Sequence, residues 1–257
     1  MFPLLTQWAK NAALEVQEYV RLVAAAGRAV VTPPLYGHDI VEQFDAIGVA
    51  SLTVVLLTGF FTGAALASQS GLTLDQFGAR PVVGRLVSAS MIKELGPVLT
   101  ALMLTGRIGS GIAAELGSMV VTDQINALRA LGTDPIRKLV VPRVLAGFLM
   151  APVLTVVADF VGIFGGWIVA RFQLQVATGL YWSSVTQGLY MQDVWMGLIK
   201  PFVLGYVIVT IGCYVGLSTK GGTQGVGRAT TQAVVASSVA VIAVDFFITR
   251  LLITLLY

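Results

Sequence analysis

Three long apolar stretches of this chain carry ionisable side chains where hydrocarbon is expected: Lys93 with Glu94, Lys200, and Asp245 with Arg250. A charge at the centre of a membrane helix costs at least ~2.5–3.5 kcal/mol on insertion scales, so such groups face a bundle interior or a wet cavity. Ammonium and carboxylate groups at that depth suit a protein that handles something polar, or packs around it. Glu94 and Lys200 admit two readings, a structural pair between two spans or direct contact with a lipid headgroup. Asp245 and Arg250 are five residues apart, about 140° around a helix, and do not pair. Arg250 is expected to snorkel to the interface and Asp245 to satisfy a neighbouring helix. Asp159 lies in a further apolar stretch and takes no assignment.

The elements that must hold these groups are membrane helices. Hydrophobic residues make up 56% of the 257 and charged ones 11%, against about 25% charge in a soluble domain. Mean hydropathy is +0.84. Stretches near the ~20 residues that cross a bilayer are Ile47–Ala67, Leu86–Gly106, Val144–Ala170, Val194–Leu217 and Ala233–Tyr257. Leu86–Gly106 is the weakest, through Lys93 and Glu94, and Pro97 is expected to kink it. The fold class is therefore an all-α membrane protein with five spans over residues 45–257, one domain with the preceding helix. Met1–Trp8 is no charged n-region before an apolar core, so the spans themselves are expected to direct insertion.

Ten Lys and Arg residues fall on the side of the N-terminus and three on the other. The positive-inside rule then places the N-terminus in the cytoplasm and the C-terminus outside. Ahead of the first span, Leu5, Trp8, Ala12, Val16, Tyr19 and Val23 recur at three- and four-residue spacing, opposite Gln7, Lys10, Asn11, Gln17, Glu18 and Arg21. That pattern predicts an interfacial amphipathic helix over 4–30, ended by Thr32-Pro33-Pro34. Gly59 with Gly63, and Gly212 with Gly216, form small-xxx-small pairs that let helices approach closely, within the bundle or across a dimer.

Several chemistries find no support. The pI near 9.1 is not a nucleic-acid footprint, because the basic residues do not cluster. Cys213 is alone, so neither a disulfide framework nor a Cys metal site exists, and His38 beside Asp39 has no partner cluster. No GxxxxGK[ST] sequence supplies a phosphate cradle. Gly221–Gly227 lacks that Lys-Ser/Thr ending and reads as a flexible loop. Catalytic and metal residues are expected to be none. A short mixed helix over Val121–Leu131, with Ile125, Leu128 and Leu131 on one side and Gly132-Thr133-Asp134-Pro135 closing it, suits docking of a soluble partner.

The run ELGP from Glu94, then GRIGSGIAAELGSM from Gly106, then TDQINALRALGTDP from Thr122, resembles the MlaE (YrbE) family of ABC-transporter permeases. The likeness continues in Gly227-Arg228-Ala229-Thr230-Thr231 and in Ser237-Ser238 through Asp245-Phe246, so that it covers about Asp45 to Arg250. The resemblance implies a homodimeric permease of a bacterial inner membrane that moves phospholipid or another hydrophobic lipid between that membrane and the outer envelope. It implies a separate cytoplasmic ATPase that binds ATP and magnesium, an MCE-domain protein on the outer side, and a small STAS-type cytoplasmic subunit. This chain would itself hold no cofactor. By the same resemblance Lys93, Glu94 and Lys200 would line the lipid cavity, Lys93 standing where some relatives have Arg. Asp123, Gln124, Ile125, Leu128 and Leu131 would belong to the coupling helix in the ATPase groove. The alternative is an ion-coupled secondary transporter with Glu94, Lys200 and Asp159 relaying protons; it expects an inverted repeat, and the two halves show no similarity. An intramembrane enzyme lacks any convergent His, Cys or paired Asp.

Overall fold

The computed structural model describes residues 2–33 and 36–256, with side chains given for Lys10 and from Ala13 onward. Its described elements are all helical. α1 (Phe2–Val31) lies against the bundle through residues three and four apart. Ala26 and Ala29 are buried, Leu22 packs on the core, and the Tyr19 hydroxyl shares a 2.9 Å hydrogen bond with Thr210. Burial pushes the Tyr19 phenol up from its ordinary pKa. The expected apolar face is divided, because Val16 stays 61% exposed while Tyr19 turns inward. Tyr19 has a polar partner across the gap and Val16 has none. Leu5, Trp8, Ala12, Pro34 and Tyr257 fall outside the described side chains.

Among the described residues, five helical segments are long and apolar enough to cross a membrane: Gly37–Asp75, Arg80–Val121, Ile136–Phe172, Met191–Leu217 and Gly222–Leu256. Each contains an expected span, save Tyr257, which lies outside the described residues, and all but Met191–Leu217 run well beyond it. Arg80–Val121, at 42 residues, is about 63 Å long if straight, roughly twice the hydrocarbon thickness. Hydropathy marks only the apolar part of a helix, and backbone hydrogen bonding carries it on through polar residues. The first segment joins α2 (Gly37–Ile47) to α3 (Leu52–Asp75) through a tight turn at Val49–Ser51. The second strings together α4 (Val83–Ser90), α5 (Gly96–Leu104) and α6 (Ser110–Val121) across two π turns. α7 (Gln124–Ala130) follows, then α8 (Val141–Phe172), α9 (Thr178–Gly188), α10 (Met191–Leu217) and α11 (Gly222–Leu256).

The Gly221–Gly227 run is not a loop. Gly221 and Gly222 take positive φ, 92° and 67°, at the turn, and α11 begins at Gly222. Gly225 sits so close to the Lys220 carbonyl that a Cβ would collide with it. These glycines serve a tight entry into a helix rather than mobility.

α8 is the hub, packed on α3, α10, α5 and α2. Small residues make the close packing possible. Along α3, every fourth residue from Val55 through Gly59, Gly63 and Ala67 to Gly71 is buried. A Cβ on Gly59 would run into the Ala158 carbonyl, and one on Gly63 into that of Gly162. Gly212 and Gly216 of α10 meet Gly109 and Ala113 in the same manner. All four glycines therefore lie at contacts inside one chain.

The two ends of the bundle are tied differently. At the α1 end, Lys138 pairs with Asp39 at 2.5 Å, Arg137 donates to the Pro33 carbonyl at 2.9 Å, and buried Arg143 pairs with Glu115 at 2.7 Å. At the other end α9 is pinned by Tyr181, fully buried, whose hydroxyl donates to the Ile163 carbonyl at 2.9 Å.

Gly63→Val should disrupt the α3–α8 contact at a cost on the order of 1–3 kcal/mol or more, the range for overpacking a tight site. Thermal unfolding in detergent checks this against Gly27→Val, where a side chain meets open space. Equal midpoints for the two variants would refute the close backbone approach.

Candidate functional site

The charged residues meet at the π turn Met91–Leu95 in the middle of the second segment. Pro97 explains why the turn is there. It has no N–H, so the Lys93 carbonyl four residues earlier loses its helical donor. The helix widens, Gly96 N–H bonds back to Met91 O, and the Lys93 carbonyl turns to a side chain. Lys200 Nζ donates to it at 2.8 Å.

Lys200 is the centre of the arrangement. It is fully buried, and its ammonium has three N–H donors to satisfy. Besides the Lys93 carbonyl, Glu94 lies at 2.7 Å and Asp245 of α11 at 3.4 Å. Lys93 reaches the opposite way, to Asp193 at 2.7 Å. Asp193 is buried at the start of α10, where it also accepts the Tyr190 N–H at 3.3 Å. Gly197 lets α10 come this close, since a Cβ there would overlap the Ile92 carbonyl. The cluster thus adds charge pairing to the apolar contacts that join the second segment, α10 and α11.

Exposure within the cluster is uneven. The Glu94 side chain is 43% exposed and that of Lys93 33%, while Lys200 and Asp193 are at 0% and 1%. The π turn therefore leaves one carboxylate and one ammonium partly exposed. The three expected cavity residues are brought together, with Lys200 as the buried strut behind the other two. Asp159 does not join them. It lies against Gly96, where a Cβ would strike its Oδ1, and no ion pair links it to Lys200.

The sequence pattern missed Asp193, which falls just outside the expected Val194–Leu217 span. One signal was there to find it. Asp193 and Lys200 are seven residues apart, two turns along one helix face. The Asp245 partner could not be read that way, because it comes from another helix.

The short helix is shorter than expected. Val121 ends α6, Asp123 takes a left-handed conformation at φ 58°, and α7 runs Gln124–Ala130. Asp123 accepts a 2.9 Å bond from Asn126, and Gln124 donates to Thr122 at 3.0 Å, so both polar side chains shape the turn. Ile125, Leu128 and Leu131 do not share an outward face. Ile125 is buried in the core and Leu128 packs on it, while Leu131 is 80% exposed. The helix spends its stronger apolar side on its own bundle, and the outward surface is Gln124, Asn126, Ala127, Arg129, Ala130 and Leu131.

Residues 40–251 match the permease family described as Permease MlaE. The chain belongs to the MlaE permease family. It is 44% identical over 227 residues to a probable ABC transporter permease protein of Rickettsia conorii, covering 88% of each chain. It is 35% identical over 229 residues to the intermembrane phospholipid transport system permease protein MlaE of Haemophilus influenzae, again covering 88% of each. The chloroplastic protein trigalactosyldiacylglycerol 1 of Arabidopsis thaliana is 35% identical over 212 residues, 82% of this chain and 61% of the plant protein. This MlaE-family permease is a multi-pass membrane protein whose most polar interior is the Lys200 cluster.

Lys200→Met should destabilise the permease by about 3–5 kcal/mol, because it strands two carboxylates beside an apolar side chain. Adding Glu94→Gln and Asp245→Asn should restore much of the loss. Thermal unfolding of the two variants reads the difference. A single variant as stable as the native chain would refute the ammonium's role as the strut.

Proposed function

We propose that this permease is the transmembrane subunit of an ABC transporter that moves phospholipid, or a related hydrophobic lipid, between a bacterial inner membrane and the outer envelope. Membership of the MlaE family carries the reading, and the name of the Haemophilus relative supplies the cargo class. In this reading two copies form a homodimer with the N-terminus cytoplasmic and the C-terminus periplasmic. A separate cytoplasmic ATPase binds ATP and magnesium and docks on the outward surface of α7. A small STAS-type subunit accompanies it, and an MCE-domain protein receives or delivers lipid at the α9 end.

The geometry of the cluster supports the assignment of the lipid site. Lys93 and Glu94 are the partly exposed members and would meet a headgroup, Lys93 its phosphate and Glu94 a cationic or hydroxyl-bearing moiety. Lys200 holds the π turn that presents them. Such a site grips weakly, since each exposed group already has a protein partner to return to, and a transporter must release what it takes up.

Glu94→Ala and Lys93→Ala are each expected to lower lipid transfer severalfold, in proteoliposomes holding the whole complex, without loss of dimer or ATPase assembly. Wild-type transfer by both would remove the headgroup assignment. For the docking surface, Leu131→Asp should strip the ATPase from the purified permease while leaving its thermal stability unchanged, since the side chain is 80% exposed. Normal ATPase stoichiometry and stimulation in that variant would place the coupling surface elsewhere.

A further inference from the structure

At the α1 end a cleft of about 540 Å³ opens between α1, the close of α10 and the start of α11. Its walls carry opposite charge. Glu15 and Glu18 stand one turn apart on α1, while Lys220 and Arg228 line the cleft from the α10–α11 turn and the first turns of α11. None of the four makes an ion pair among the described residues. The guanidinium of Arg228 reaches back over the turn, so that a Cβ on Gly221 would lie 3.9 Å from it. A second, shallower groove begins at the same Arg228 and Gln232 and passes Thr231 to Val235 and Ala236. Beyond it the helix face continues through Val239, Ile242 and Phe246, each more than half exposed. Charge of both signs at one end thus gives way to hydrocarbon along one helix.

We propose that this cleft binds a zwitterionic phospholipid of the leaflet at the α1 end, its phosphate against Arg228 and Lys220, its ammonium against Glu15 and Glu18, and an acyl chain along α11. Two carboxylates against two cations make the site neutral, so a headgroup of one charge leaves half of it unanswered. A zwitterion answers both halves. A soluble peptide or nucleotide matches the charges but has no part to lie on Val235 and Val239 of a membrane-spanning helix. Length fits as well. Val235 to Phe246 rises about 16 Å, near the half of a ~30 Å hydrocarbon core that one leaflet fills. Arg228, two turns before Val235, falls on the headgroup side. The inference goes beyond the transport reading, since the site shares no residue with the Lys200 cluster and its occupancy requires neither ATP nor a partner subunit.

The test is photo-crosslinking of the full chain in phosphatidylglycerol nanodiscs doped with one of three lipids that share a diazirine tail. One is phosphatidylethanolamine, one its N-acetylated form, which lacks the ammonium, and one a diacyl trimethylammonium lipid, which lacks the phosphate. Labelled residues are mapped by mass spectrometry. Phosphatidylethanolamine should label Val235, Ala236 and Val239 roughly tenfold more than either other probe, the ratio for ~1.4 kcal/mol of preference. Arg228→Gln with Lys220→Gln should erase the preference over the cationic probe. Glu15→Gln with Glu18→Gln should erase the preference over the acetylated one. All four side chains are exposed, so neither double variant should lower the thermal midpoint. Equal labelling by the three probes would overturn the proposal. So would labelling no higher than at the outward-facing Phe61, 64% exposed, which reports annular lipid only. A lowered midpoint in the Glu variant with labelling unmoved would mean that the charges pair across the cleft and no lipid bridges them. Labelling present in the monomer and lost in the dimer would give the α11 face to a second copy instead. Failed lipid transfer with normal labelling would count against the transport reading and leave this site standing.

Discussion

An ammonium fully withdrawn from water carries a desolvation penalty of several kcal/mol, and only a close set of partners offsets it. Lys200 is in that position, and much of the centre of the fold follows from meeting its three donors. One partner is a carbonyl that exists as a free acceptor only because Pro97 cannot donate. Another is Glu94, which the widened π turn brings to within 2.7 Å. Asp245 stands farther off, at 3.4 Å, as an ion-pair partner that ties α11 to α10. Remove the proline and the carbonyl returns to its helix; remove Gly197 and α10 stands off by the width of a side chain. The charged cluster, the irregular backbone and the small residue are one arrangement.

Around that centre the bundle relies on backbone proximity. Lipid is as apolar as leucine, so burying large side chains between membrane helices gains little, and close contact between small residues does more. The four-residue stripe on α3 and the glycines on α8 and α10 follow this rule. Outward faces show the converse. On α11, Val235, Val239, Ile242 and Phe246 are all more than half exposed, a surface suited to hydrocarbon or to another copy of the chain. α8, buried on several sides, holds Asp159 where no neighbouring side chain answers it.

What could be read from the sequence depended on how local the cause was. The five spans followed from hydropathy, and the widened turn was foreshadowed by Pro97, a local effect of one residue on its own helix. Lys93, Glu94 and Lys200 were singled out by the cost of their charge. The ends of the helices were not legible, since hydropathy falls off where helices continue; Gly221–Gly227 looked like a loop because it is rich in glycine. A pair of Glu94 with Lys200 was one of two readings open in the sequence, whereas the meeting of Asp245 with Lys200 and the split of α7 were hidden. Ile125, Leu128 and Leu131 have similar chemistry, and only the position of α7 against its own core makes Ile125 structural and Leu131 free.

The placement of α7 gives the charged turn a mechanical setting. One helical segment, Arg80–Val121, carries Lys93 and Glu94 and ends next to α7. It is interrupted at Met91–Leu95 and again at Thr105–Gly109, and π turns are points where a helix can change register without breaking. At the second of these, the Thr105 hydroxyl meets Ser238 of α11 at 3.1 Å, so α11 contacts both irregular turns. A push on α7 from a nucleotide-driven partner would travel along this segment and be absorbed where the helix is softest. The two π turns interrupt its regular hydrogen bonding, and the first holds Lys93 and Glu94. In a transporter of the proposed kind, gripping and releasing a headgroup then requires only that the π turn tighten or relax about a fixed ammonium, with Lys200 and its small-residue frame unmoved.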